Sequence, residues 1–180
     1  MNRSRTASEK RESAEPPRGL TIDVVHEAGD WSAVDPNIEA AVCQVADAVA
    51  RAPQLGLRGE RSAVVALADD VTVRRLNHTY RGKDAATNVL SFPVGDRNEP
   101  ALGDIILAFE TVRHEADDLG ITALAHVQHL VVHGLLHLLG FDHESDAEAI
   151  AMERHETDIL ASIGVADPYA GTELIASAVA

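Results

Sequence analysis

The sequence predicts an α+β fold in which a small mixed, mostly parallel sheet packs against helices. The first observation behind this prediction is the order of the elements, which reads β-α-β-α-β-β-α-α-α. Each β-α-β step favours parallel strands, and the β-β step adds an antiparallel strand. The second is composition: hydrophobic residues make up 46% of the 180 residues and aromatic residues only 3%, so aliphatic side chains must fill the core of one domain.

Hydrophobic periodicity justifies the elements of the first half. Residues 20–28 alternate loosely and contain several β-branched side chains, as a strand does. An Asp-Pro pair opens residues 35–52, and the apolar side chains after it recur at helical spacing, which predicts an amphipathic helix. Residues 62–69 are typical of a short buried strand, and residues 70–82 of a helix that a glycine ends.

The second half begins with two strands and continues with three helices. Residues 88–94 and 103–110 are apolar enough for strands, and a loop with glycine and proline separates them. Residues 111–120 predict a helix with a glycine stop, and residues 122–140 predict a long, strongly apolar helix that ends in the same way. A serine followed three residues later by a glutamate, a capping box, opens a last helix at 145–164.

The ends of the chain are predicted to lie outside the folded domain. Residues 1–19 are polar and lack periodicity, which predicts a disordered N-terminal extension, and residues 166–180 are a C-terminal tail. The domain is then 20–165. No apolar run approaches the roughly 18 residues of a membrane span, and no apolar signal segment is present, so we expect a cytoplasmic protein without a membrane partner. The single Cys43 excludes an internal disulfide and fits a reducing compartment.

The charge of the chain is negative and unevenly distributed. The formal net charge is -14, and between residues 101 and 180 the only basic residues are Arg113 and Arg154. An acidic surface argues against broad, nonspecific affinity for nucleic acid, and we expect no DNA partner. A local basic patch around one site is still compatible with this composition.

The segment "VVHGLLHLLGFDH" carries three histidines in an apolar context. His133 and His137 are four residues apart, so they share one face of the predicted helix. Gly140 ends that helix and lets the chain turn back, which brings His143 toward the same point. Zinc bound by three histidines keeps a fourth position for water, the arrangement of catalytic rather than structural sites. We therefore predict a metal site on these three residues.

Two other interpretations of the histidines remain open. A single buried histidine is more often a core residue with satisfied hydrogen bonds than a metal ligand, although three at this spacing favour the metal. A metallopeptidase would carry H-E-x-x-H, with a glutamate as general base directly after the first histidine. Gly134 occupies that position here.

Nearby polar residues are candidates for supporting the metal ligands. His129 lies one turn before His133, and Asp142 directly precedes His143. Either could orient a ligand imidazole from behind. The alternatives are that His129, like His126, only packs or caps polar groups near the site, and that Asp142 is a turn residue.

A second dense segment, at 74–93, concentrates basic residues. A helix, a charged turn and a strand would place Arg81 and Lys83 at the edge of the sheet. A cation there could bind a phosphate or stabilise the charge that develops during phosphoryl transfer. For Lys83 alone, a solvated turn is the simpler interpretation.

Together the two segments resemble the YbeY family, bacterial metal-dependent endoribonucleases linked to 16S rRNA maturation and ribosome quality control. The stretches that carry the resemblance are "LNHTYRGKDAATNVLSFP", "LGDIIL" and "HLVVHGLLHLLGFDHE", and "MERHETDIL" is similar to the last helix of the family. The resemblance covers about residues 20–165, which would then be a metal-dependent hydrolase domain.

The resemblance implies a zincin-like metal-binding helix and one Zn²⁺ per chain on His133, His137 and His143. It also implies a catalytic, substrate-binding role for Arg81. Lys83 is a further candidate for a substrate contact because of its charge and its place in the same turn. The implied activity is single-strand-specific cleavage of RNA in maturation of the 16S 3′ end and in ribosome quality control. The implied partners are an rRNA precursor and the ribosome or ribosome-associated proteins.

The chain departs from the family pattern at two places. The common "TDVLSF" has Asn88 in place of the aspartate, and "KDxPT" lacks its proline. Neither change affects the three histidines, but Asn88 cannot supply a carboxylate. Two other functions remain open from the sequence: a metallopeptidase-like hydrolase, and a non-catalytic ribosome-assembly factor with a structural zinc.

Overall fold

The computed structural model describes residues 19–95, 99–143 and 145–170, and its strands and helices follow the predicted order. The described part of the chain contains four strands and five helices, which confirms the α+β class. In chain order they are β1 (Gly19–His26), α1 (Ile38–Arg51), β2 (Glu60–Ala68), α2 (Asp70–Arg81), β3 (Val89–Pro93), β4 (Ala101–Ala108), α3 (Phe109–Leu119), α4 (Ala123–Leu138) and α5 (Asp146–Ser162). The predicted extension at 1–19, except Gly19, and the part of the predicted tail after residue 170 lie outside the described residues.

The strands form one mixed sheet in the order β1-β2-β4-β3. The β1–β2 and β2–β4 pairs are parallel, and β3 runs antiparallel to β4 along the edge. This is the mostly parallel sheet that the element order predicts. Gly103 in β4 has a φ of +136°, and a Cβ atom there would lie 2.1 Å from the carbonyl oxygen of Phe92. Glycine is therefore required where the backbone of β3 lies so close to that of β4.

Helix α4 lies in the centre of the larger hydrophobic core, and this burial explains its apolar sequence. It packs against β3 and β4 of the sheet and against α1, α3 and α5. Gly134 permits α4 to lie close to β4, because a Cβ atom at this position would be only 2.9 Å from Cδ1 of Ile105. On the opposite side of the sheet α2 covers a small cluster that includes Val73 and Leu90.

Two helices begin elsewhere than the sequence predicts. The prediction that Asp35 is the N-cap of the first helix is wrong by two residues: the N-cap is Asn37 and α1 begins at Ile38. Before it lies a turn in which the Asp35 carboxylate accepts a hydrogen bond from the Asn37 N–H at 2.6 Å. The aspartate caps this turn instead of the helix. Helix α3 begins at Phe109, two residues early, because the Asp70 carboxylate accepts hydrogen bonds from the N–H and hydroxyl of Thr111, which lies in its first turn.

No single helix in the described parts of the chain is both long and apolar enough to cross a membrane. The pair α3 and α4 meets such a test only by length and composition when the two are joined, and they are bent by 113° relative to each other.

Candidate metal centre

Helix α4 and the turn after it bring three imidazoles together, as the spacing predicts. The Nε2 atoms of His133 and His137 are 3.1 Å apart. The ring centroid of His143 lies 5.7 Å from that of His133 and 5.1 Å from that of His137. One ring nitrogen from each of the three can be chosen so that all lie within 4.8 Å of one another. The cluster could therefore hold a metal ion.

The return of the chain toward the helix depends on Gly140. Its φ is +92°, its N–H donates to the carbonyl of His137, and the N–H of Phe141 donates to the carbonyl of Leu136. This is the Schellman arrangement, which satisfies the last carbonyls of a helix and reverses the chain. The reversal places His143, five residues past the end of α4, beside the two helical histidines.

The distances and protonation of the imidazoles fit a metal. Zinc–nitrogen bonds of about 2.0–2.1 Å in a tetrahedral site would place two ligand nitrogens roughly 3.3 Å apart. The 3.1 Å between His133 and His137 is close to that separation. Burial, followed by the nearby His133 and His143, lowers the pKa of His137, which keeps its ring neutral and its lone pair available.

The three histidines line a cleft of about 520 Å³ beside the edge strand β3. Because side chains alternate along a strand, Val89, Ser91 and Pro93 face the cleft while Leu90 faces the core on the other side. The predicted cation Arg81, at the end of α2, also lines this cleft. The structure thus brings together the histidines and the arginine, which are more than 50 residues apart in sequence.

The other basic residues of the 74–93 segment are placed differently. Lys83 is exposed and does not line the cleft as the described residues define it. The guanidinium of Arg74 makes two hydrogen bonds to the Asp84 carboxylate, at 2.7 and 2.9 Å. This pairing partly neutralises Arg74, so the positive charge of the turn is smaller than its composition indicates.

Asp142 lines the cleft, and its carboxylate accepts a hydrogen bond from the backbone N–H of His143 at 2.8 Å. This contact shapes the turn that carries His143. The contact agrees with the interpretation of Asp142 as a turn residue. Its role in orienting a ligand imidazole stays a prediction.

His126 and His129 each contact a carboxylate, the first on α3 and the second on α5. Nε2 of His129 lies 3.0 Å from an oxygen of Glu156. Nε2 of His126 lies 2.8 Å from Glu115, whose same oxygen accepts a hydrogen bond from the Asn88 amide at 2.9 Å. Asn88, where the family commonly has aspartate, lines the cleft and donates to Glu115. An aspartate would bring a second carboxylate to that contact.

Sequence reasoning assigned no role to Glu156 or Tyr169. Glu156, on α5, is only 1% exposed, and one of its oxygens lies 2.8 Å from Nδ1 of His133. The other oxygen accepts from the Tyr169 hydroxyl and from His129. Burial by itself raises the pKa of Glu156, but the hydrogen bonds from these three residues outweigh it and lower the pKa to about 2.

A signal for Glu156 was present in the sequence. It shares one face of α5 with Met152, Ile159 and Leu160, all of which are buried. A carboxylate within an apolar helical stripe must have strong partners, because burying an unpaired charge is costly. Tyr169 had no comparable signal, since the segment after α5 shows no helical or strand periodicity that would assign its side chains to a face.

Comparison with known proteins agrees with this geometry. A family model described as endoribonuclease YbeY matches residues 25–164. The chain belongs to this family. It is 45% identical over 166 residues to the endoribonuclease YbeY of Parvibaculum lavamentivorans, covering 84% of this chain and 85% of the relative. It is also 45% identical over 159 residues to that of Rhodopseudomonas palustris, covering 85% of this chain and 83% of the relative.

A solved structure supports the fold of this YbeY-family chain. The solution structure of a Thermotoga maritima protein matches it with a TM-score of 0.51 and 23% identity, over 79% of this chain and 91% of the other. At that identity the likeness concerns the fold alone. The family model and the two relatives, not this structure, confirm the resemblance of the sequence motifs to the YbeY family.

Proposed function

We propose that this chain is a zinc-dependent, single-strand-specific endoribonuclease that acts in maturation of the 16S rRNA 3′ end and in ribosome quality control. The observation that carries the proposal is that three converging imidazoles and a guanidinium line one cleft. Relatives at 45% identity are named as endoribonucleases, and the chain covers more than four fifths of their length.

His133, His137 and His143 would hold one Zn²⁺ per chain from a zincin-like helix. Zinc at such a site supplies Lewis acidity toward a phosphoryl oxygen and lowers the pKa of water. Arg81 lines the same cleft, and its planar, permanently charged guanidinium matches a phosphate diester. Arg81 would bind the scissile phosphate and stabilise the negative charge that grows on it.

Two nucleophiles are compatible with this arrangement: a water molecule and the 2′-hydroxyl of the RNA itself. No carboxylate lines the cleft among the described residues except Asp142, which is bound to a backbone N–H. An oligonucleotide with a single 2′-deoxy substitution at the cut site separates the two routes. Unchanged cleavage of that oligonucleotide excludes attack by the 2′-hydroxyl.

The position of Gly134 disfavours the metallopeptidase alternative. Gly134 is buried against Ile105, so a glutamate introduced there would meet the sheet. The general base of H-E-x-x-H has no equivalent at this position. The remaining alternative is a ribosome-assembly factor with a structural zinc, although structural sites normally have four protein ligands.

The proposed partners are a single-stranded rRNA precursor and the ribosome or its associated proteins, which would place the chain in the cytoplasm. Lys83 is the weakest member of the proposed substrate-binding set, because it lies outside the lining of the cleft that the described residues define.

The test is cleavage of a single-stranded RNA that spans the mature 16S 3′ end, with a duplex of the same sequence as the control. We expect the wild type to cut the single strand only, and His137→Ala to lose the activity. Equal cleavage by wild type and His137→Ala would mean a contaminating nuclease. No cleavage by a zinc-loaded wild type that binds the RNA would favour the assembly factor.

A further inference from the structure

The environment of Glu156 is unusual for a charged residue. Its carboxylate is 1% exposed and lies between α4 and α5, in the large hydrophobic core region that contains Met152 and Ile159. Three polar groups surround it: the imidazoles of His129 and His133 and the hydroxyl of Tyr169. The contacts account for both carboxylate oxygens.

An ionised carboxylate can only accept hydrogen bonds, so each of these three partners must donate one. For His133 the donating atom is Nδ1, which lies 2.8 Å from Glu156. A neutral imidazole carries one hydrogen, and placing it on Nδ1 leaves the lone pair on Nε2. Nε2 of His133 is the atom that faces His137, at 3.1 Å.

From this geometry we propose that Glu156 is a positioning residue that fixes His133 in the Nδ1–H tautomer, and that Tyr169 holds the Glu156 carboxylate in place. The inference rests on the proposed metal site, since Nε2 of His133 is the nitrogen that it prepares. Glu156 does not contact the cleft; it acts through the imidazole.

Tyr169 belongs to the segment after α5, which thereby becomes part of the site. Its hydroxyl donates to Glu156, and its ring meets the ring of His129 edge to face, with centroids 5.6 Å apart. Asp167 fixes the turn that presents Tyr169: its carboxylate accepts hydrogen bonds from the Tyr169 N–H at 2.9 Å and from the Thr157 hydroxyl at 3.2 Å. The segment at 167–169 therefore buttresses a metal ligand from behind.

A glutamine at position 156 tests the tautomer directly. Its side chain is nearly the same size, but one of its two polar atoms is a donor, so it cannot accept from all three partners. The readout is a long-range proton–nitrogen correlation spectrum of the metal-free full chain at pH 8, with the His133 signals assigned from a His133→Asn variant. Tautomers are distinguished there by the nitrogen shifts.

We expect the Nδ1–H tautomer for His133 in the wild type and a mixture or the Nε2–H tautomer in Glu156→Gln. A role in packing alone would leave the tautomer unchanged, so an unchanged tautomer overturns the proposal. If Glu156→Gln does not fold, the wild-type spectrum still decides, because an Nε2–H tautomer in the wild type contradicts the proposal by itself.

Zinc affinity, measured by competition with a chelating dye, is the second readout. Loss of a carboxylate that supports a ligand histidine typically weakens metal binding by about 10–100-fold, and we expect that range for Glu156→Gln and a smaller loss for Tyr169→Phe. Glu153→Gln, an exposed residue on the same helix, is the matched control and should bind as the wild type does.

The outcomes separate this proposal from the proposed function. A wild type that does not compete for zinc defeats both. A wild type that binds zinc, together with a Glu156→Gln variant of equal affinity, leaves the metal site standing and overturns the positioning role alone. Equal affinity of Tyr169→Phe and wild type overturns the part assigned to Tyr169.

Discussion

Arg81 and the three histidines line one cleft, so the account depends first on individual side chains. Arg81 is the last residue of α2, and its charge is permanent. Its position in the cleft favours a direct contact with a phosphate. Lys83 lies two residues later and outside the cleft lining, so we expect it to have a less specific role. The two cations therefore provide a matched comparison.

Replacing Arg81 with alanine should lower kcat/KM for RNA cleavage by roughly 10²–10³-fold, the range for removal of one donor that stabilises a developing oxyanion. Arg81→Lys should recover part of the loss, because the charge remains but the planar fork is gone. Lys83→Ala is the control, and its effect should be much smaller. A loss in Lys83→Ala as large as in Arg81→Ala would contradict the assignment of the phosphate contact.

The sequence predicts the histidine cluster better than it predicts the residues that contact the cluster. His133, His137 and His143 follow from helical spacing and a glycine stop, both of which are local properties. Glu156 and His133 are 23 residues apart in sequence and lie on different helices. A local sequence pattern does not specify which face of α5 packs against α4. The contact of Tyr169 with Glu156 could not be predicted from the sequence for the same reason.

The ends of α2 and α4 position Arg81 and His143 in the cleft. The N-cap of α2 is Asp69, whose carboxylate accepts a hydrogen bond from the Thr72 N–H at 2.8 Å, and the helix ends at Arg81. Helix α4 ends in the turn around Gly140 that returns His143. A change at either end therefore acts on the cleft through the backbone.

Asp69→Ala should destabilise the chain by about 1 kcal/mol at neutral pH, as loss of an N-cap does. Hydrogen bonds from Thr72 lower the pKa of Asp69 below 3.8 in the folded chain. A lowered folded pKa means that this stabilisation is complete above the unfolded pKa and is lost as pH falls through the folded value. Urea unfolding at several pH values should show the wild-type advantage over Asp69→Ala shrinking below about pH 4; an advantage independent of pH would contradict this.

Gly140→Ala should weaken zinc binding as well as lower the free energy of unfolding. A side chain at a φ of +92° is strained, which costs about 1–3 kcal/mol, and relief of that strain would move His143. We expect weaker zinc binding in the chelator competition. Gly164→Ala is the matched control, because its φ is +79° and it follows α5, so it should lose similar stability with zinc affinity unchanged. Equal zinc affinity in Gly140→Ala and the wild type would contradict the role of this turn.

Element order was predictable from the sequence, and element boundaries were less so. Alternation and helical spacing are local, which is why the sequence predicts the four strands and five α-helices of the described residues. The starts of α1 and α3 depend instead on where capping carboxylates find their donors. Asp70 caps α3 across 41 residues, and no local pattern shows such a contact.

At the scale of the whole molecule, the difficulty for the proposed function is charge. A net charge of -14 repels RNA, and Arg74 is already paired with Asp84. RNA binding must then depend on a few cations around the cleft, with Arg81 foremost.

Salt dependence measures how many cations take part. Each phosphate neutralised on a single strand contributes a slope of about -0.7 to the plot of log K against log salt. Using His137→Ala, which should bind without cutting, we expect a shallow negative slope that becomes less negative by about 0.7 when Arg81→Ala is added. A slope that is unaffected by Arg81→Ala would exclude a phosphate contact there.

The proposal that His133, His137 and His143 hold a catalytic zinc can be checked by measuring metal content. The measurement is mass spectrometric metal analysis of purified wild type and His137→Ala, both loaded with zinc and passed through a desalting column. We predict about one zinc per wild-type chain, because the described residues offer one set of three histidine ligands, and almost none in the variant. Metal absent from both proteins, or present equally in both, would contradict it.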